Sequence, residues 1–77
     1  MNAVYRVEWI ESERGWGQRP DGVSLHKNKE EMERFVQNYE SKGSIDCYSR
    51  AIDKKLIEVD ETIYREVQMR GSMWERN

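Results

Sequence analysis

Seventy-seven residues with a formal charge of −2 make one small domain, which buries only roughly 60% of the surface its unfolded chain exposes. With 36% of residues apolar and 36% charged, a thin core is expected, and assembly into a homo-oligomer would bury more surface. One cysteine and one histidine exclude an intramolecular disulfide and a zinc site of the usual four protein ligands.

Val4 to Glu11 alternates Tyr5, Val7 and Trp9 with Arg6, Glu8 and Glu11, the period-two pattern of a strand with one buried face. Glu13-Arg14-Gly15-Trp16-Gly17-Gln18-Arg19-Pro20-Asp21-Gly22 then gathers three of the five glycines, the only proline, a tryptophan and two arginines. Val23-Ser24-Leu25-His26 resumes the alternation, so the two segments are expected to pair as an antiparallel hairpin joined by a long, projecting loop.

Asn28 is placed to cap a helix with Glu31 three positions on, and Met32, Phe35, Val36 and Tyr39 follow at helical spacing. Gly43 is expected to close that helix in a left-handed conformation just after Lys42. Ile45 to Ser49 and Leu56 to Val59 read as two strands of a second hairpin that turns through Asp53, Lys54 and Lys55. Asp60 caps a second helix with apolar Ile63, Tyr64 and Val67. Gly71 stops it, and Met73 and Trp74 follow as core cover or a docking tail. The pattern predicts a two-layer α+β domain of order β-β-α-β-β-α, with both helices on one face of a mainly antiparallel sheet.

The loop Arg14-Gly15-Trp16-Gly17-Gln18-Arg19 is the candidate binding site. Its glycines let the backbone approach a ligand, its arginines suit carboxylate or phosphate, and Trp16 offers a stacking face. The bland reading is that Trp16 folds onto the core while Pro20-Asp21-Gly22 is an ordinary turn. Residues 14–27 carry a local charge of +2 and residues 30–46 a local charge of −3, which makes the loop a modest basic island. It matches neither a phosphate-loop nor a dinucleotide fingerprint.

His26 follows that loop and is a candidate donor or acid–base group, with a surface position at a strand end as its plain alternative. Tyr48 and Arg50 fall on one face of their strand and would enlarge an aromatic and cationic patch if they met the loop. Cys47 reads as a small buried apolar residue. Nothing supplies a nucleophile and base, a metal cluster or a cofactor motif, so no enzyme activity and no cofactor are expected. No apolar stretch approaches the roughly 20 residues of a membrane span and no signal peptide is evident. A cytoplasmic location without membrane attachment is therefore expected.

Val4 to His26, with its Tyr-Arg-Val-Glu-Trp strand and Glu-Arg-Gly-Trp-Gly-Gln loop, resembles small accessory proteins encoded by tailed bacteriophages. The resemblance covers about a third of the chain and transfers no site residues. It implies a host-cell setting and an inhibitor of host defence, acting on a host defence protein or sequestering a nucleotide signal. A nucleic-acid accessory protein is the alternative, with Arg14, Trp16, Arg19, Lys27 and Arg50 as a stacking and phosphate-binding strip. The near-neutral net charge favours it less.

Overall fold

The computed structural model describes residues 2–13, 15, 17–43 and 47–75. The elements are β1 (Ala3–Glu13), β2 (Gly17–His26), α1 (Lys29–Ser41), β3 (Cys47–Glu58), α2 (Glu61–Arg70) and β4 (Ser72–Trp74). They form an α+β domain around an antiparallel sheet of strand order β3-β1-β2-β4.

Three expectations about element order are corrected. β2 begins at Gly17 and pairs with β1 from Glu13↔Gly17 to Tyr5↔His26. Most of the expected loop is therefore strand, and residues 14–16 alone connect β1 to β2. Asp53, Lys54 and Lys55 do not turn; they lie inside one continuous β3 that pairs with β1 along its length. Ser72-Met73-Trp74, read as a tail, adds β4 to the far side of β2. The order is thus β-β-α-β-α-β. Residues Ile45 and Asp46 of the expected strand lie outside the described residues.

The helix signals held at their N-termini. Asn28 Oδ1 accepts from the Glu31 amide at 2.8 Å, and Asp60 Oδ1 accepts from the Ile63 amide at 2.9 Å. Each satisfies one of the amides that a helix start leaves without an intrahelical partner. Gly71 ends α2 with φ of 82°, a left-handed conformation that costs glycine little. Gly43 does not take that conformation. A β-carbon there would press on the Tyr48 side chain and lie 2.9 Å from Tyr48 Cα, so glycine serves close approach of the helix exit to β3.

Directly paired strand residues share a face and successive residues alternate. Val7 and Trp9 of β1 therefore face one way and pack with Met32 and Val36 of α1, joined by Tyr5, Phe35, Tyr39 and Ala51. Val4 and its same-face neighbours Leu25, Ile57 and Met73 cluster with Val67, Ile63 and Tyr64 of α2. The two helices thus contact opposite faces of the sheet instead of sharing one, and the thin core is divided between an α1 face and an α2 face.

Two bulges re-phase the outer strands beside Trp9. β2 carries Asp21 as an extra residue between Gly22, opposite Trp9, and Pro20, opposite Ile10. β3 carries Ile52 between Asp53, opposite Glu8, and Ala51, opposite Trp9. Each bulge reverses which sequence positions point to which face beyond it.

Candidate functional site

At the connected end of the β1–β2 hairpin, Gly15 and Gly17 have φ of 86° and 83°, the conformation that short hairpin connections demand. Arg14 and Trp16, the expected cation and stacking ring of the site, lie outside the described residues. The register separates what remains. Arg19 pairs with Glu11 and Gly17 with Glu13 on the α1 face, while Gln18, opposite Ser12, belongs to the α2 face.

Arg19 is engaged within the chain. Its Nη2 reaches Glu11 Oε1 at 2.8 Å and Glu13 Oε1 at 3.0 Å. The guanidinium holds the Glu11 carboxyl below the usual carboxylate range, and the two carboxylates raise the Arg19 pKa in return. A basic island in sequence becomes a locally compensated cluster, because cross-strand pairing brings two acids from β1 to one base of β2.

Cys47 joins this cluster and is exposed, where sequence reading placed it in the core. Its Sγ lies 3.5 Å from Glu11 Oε1. Loss of solvent and then the Glu11 carboxylate push the thiol pKa up, the opposite of the shift that makes a reactive thiolate. Ligand atoms of Glu11, Glu13 and Cys47 lie within 4.8 Å of one another. A cation there would compete with Arg19 for both carboxylates.

The α2 face offers a different arrangement. Tyr48 pairs with Ser12 and Arg50 with Ile10, while Gln18 and Pro20 flank the same β1 residues from β2. The expected common face of Tyr48 and Arg50 is present, and Gln18 is on it two strands away. Gln18, Pro20, Tyr48 and Arg50 are exposed, and none of these rows belongs to the cluster that α2 covers. Between Gln18 and Tyr48, the Ser12 hydroxyl is buried without a hydrogen-bond partner among the described residues.

His26 is not part of this end. It pairs with Tyr5 at the opposite end of the hairpin and is fully buried, not a surface residue. Ser24 Oγ lies 2.8 Å from its Nε2 and Ser72 Oγ 2.7 Å from its Nδ1, and the Trp9 indole donates to Ser24 Oγ at 2.8 Å. The Phe35 ring covers it at a centroid distance of 4.8 Å. Burial lowers its pKa to about 4, with attraction from Glu31 opposing. These contacts make His26 a neutral core group, closed to a ligand.

The sequence reading passed over Asp21, whose Oδ2 accepts from Tyr39 Oη at 2.9 Å and from Ser49 Oγ at 2.8 Å. Desolvation and then the Asp21 bond raise the Tyr39 pKa. Asp21 thereby ties α1 and β3 to the bulge of β2, and its place in a Pro-Asp-Gly run had suggested only a turn.

The hollows at the hairpin end are small. One of about 170 Å³ is lined by Glu13, Gly17, Gln18 and Arg19, and another of about 170 Å³ lies among Glu11, Tyr39, Lys42 and Tyr48. A larger groove of about 460 Å³ runs between α2 and β4, far from the expected loop, and is lined by Leu25, Ile63, Glu66, Arg70, Met73 and Glu75. Its arginine is held by Glu66 at 3.3 Å. No protein-family model, curated protein or solved structure matches the chain. Among the described residues, no helix is long and apolar enough to cross a membrane.

Proposed function

We propose that the chain is a non-enzymatic binding protein that meets a protein partner through the open α2 face at the hairpin end, with Gln18, Tyr48 and Arg50 as contact residues. The observation that carries this reading is the exposure of those three side chains in adjacent rows of a sheet face that α2 leaves uncovered. Tyrosine and arginine are the residue types that most often anchor protein interfaces, since both combine large contact area with directed hydrogen bonds. The likeness of the first hairpin to phage accessory proteins favours a host-defence protein as the partner, bound and inhibited in the host cytoplasm.

A nucleotide ligand finds less support. The hollow beside Arg19 has about 170 Å³, against the roughly 300–1,000 Å³ of small-molecule sites, and a phosphate there would meet Glu11 and Glu13. The larger groove has room but presents Glu66 and Glu75 beside Arg70. A nucleic-acid partner is similarly disfavoured by the engagement of Arg19, and its binding would weaken steeply with salt.

The test pairs two measurements on the intact chain. Tagged protein is expected to co-purify one defined partner from bacterial lysate, and a Tyr48→Ala/Arg50→Ala double variant with unchanged melting temperature is expected to lose it. Cyclic dinucleotides and adenine nucleotides are expected to leave the melting temperature unmoved. A clear upward shift with any of them would replace the protein partner by a nucleotide, because a ligand of the folded state must stabilise it.

A further inference from the structure

β3 is a 12-residue strand at the edge of the sheet and, among the described residues, pairs on one side only, to β1. Its residues from Ile52 to Leu56 are all exposed. Among the described residues, three of the five large apolar side chains most open to solvent lie on it: Tyr48 at 41%, Ile52 at 46% and Leu56 at 58%. An edge of this length offers unpaired backbone donors and acceptors to another strand unless its side chains forbid approach.

We infer that a second copy of this chain pairs with it there, β3 against β3 in antiparallel register about a two-fold axis through Leu56, to make one continuous eight-stranded sheet. Joining two antiparallel edges about a two-fold keeps each face on its own side, so the axis must pass through a residue pair. Below the bulge at Ile52, four such registers keep a further pair of β3 residues on each side of the axis. An axis through Lys54 or Lys55 would set that lysine directly against its own copy, and like charges so placed repel. An axis through Ile57 opposes Leu56 to Glu58 and pairs no opposite charges.

The axis through Leu56 sets Leu56 against Leu56 of the second copy and Lys54 against Glu58, twice by symmetry, with no like charges opposed. These three residues point to the α1 face, since Lys54 pairs with Val7 and Leu56 with Tyr5 in the β1 register. On the other face Lys55 opposes Ile57, and its ammonium is already beside Asp53 of its own strand at 3.8 Å. The aliphatic stem of Lys55 can then lie along Ile57. The lysines that would defend an isolated edge are thereby each given an acid. The paired residues 54–58 include neither Tyr48 nor Arg50, and the inference stands whether or not the surface they form with Gln18 binds a partner.

Sedimentation equilibrium on the full chain tests the register by charge exchange. Lys54 and Glu58 are exposed, so substitutions at either are compatible with the fold, which circular dichroism checks. Wild type is expected to dimerise. Lys54→Glu and Glu58→Lys, each placing like charges opposite twice, are expected to weaken the dimer by about tenfold or more, and the double variant K54E/E58K to restore it to within about threefold. A monomeric wild type at millimolar concentration overturns the inference. So does a dimer indifferent to both single variants, or a double variant that stays as weak as the singles.

Discussion

His26 shows how one residue changes meaning when its neighbours are known. Its ring protonates near 6.5 in an unfolded chain and only at about 4 in the fold, because burial penalises the charge. The unfolded state therefore binds more protons between those values, so stability is full above about 6.5 and declines as pH falls toward about 4. The full loss is on the order of 3 kcal/mol. Urea unfolding at pH 7, 5.5 and 4.5 is expected to trace that decline, and H26Q to flatten it. Ser24→Ala should cost about 1–3 kcal/mol in the same assay, since it leaves the buried Trp9 indole without its acceptor. The histidine was legible in the sequence as a titratable group, but its burial was not. Alternation alone places Ser24 and His26 on one face, yet only α1, arriving from elsewhere in the chain, makes that face interior. Arg19 carries the reverse lesson, as a base whose local sequence charge is cancelled by acids eight and six residues earlier.

At the scale of elements, the helices were readable because caps and apolar spacing are local, and both Asn28 and Asp60 do what their positions suggest. β3 was misread for two physical reasons. As an edge strand it exposes most side chains, so Asp53-Lys54-Lys55 has the polarity of a turn, and the extra residue Ile52 interrupts the alternation that would have linked its halves. Hydrogen exchange distinguishes the readings: those amides of residues 53–55 that bond to β1 are expected to exchange slowly, whereas a hairpin turn would leave them fast. Gly43 belongs to this scale as well. Gly43→Ala should lower stability by about 1–3 kcal/mol in thermal melts, because the new methyl meets Tyr48 Cα, a backbone atom held in the β3–β1 pairing.

The whole molecule measures 43 × 22 × 17 Å, with a radius of gyration of 13.1 Å, larger than the roughly 11.5 Å of a compact chain of this length. The elongation follows from a long hairpin, 11 residues in β1 and 10 in β2, served by helices of 13 and 10. It divides the chain into a part that bears stability and a part that does not. Trp9, fully buried and in edge contact with Tyr39 at a centroid distance of 4.8 Å, should not be removable: Trp9→Ala costs about 3–5 kcal/mol, much of what a small domain has. Tyr48→Ala and Arg50→Ala should each stay within about 0.5 kcal/mol of wild type in chemical denaturation.

Asp21 and Ile52, the two inserted residues beside Trp9, determine what the far end of the sheet presents. Removing Ile52 would carry Tyr48 and Arg50 round to the side of α1, and removing Asp21 would exchange Gln18 with Arg19. A one-residue deletion two to four positions along the strand would thus rewrite the exposed surface without altering any residue in it. Length, as much as side-chain identity, is a heritable variable by which such a surface can change its partner.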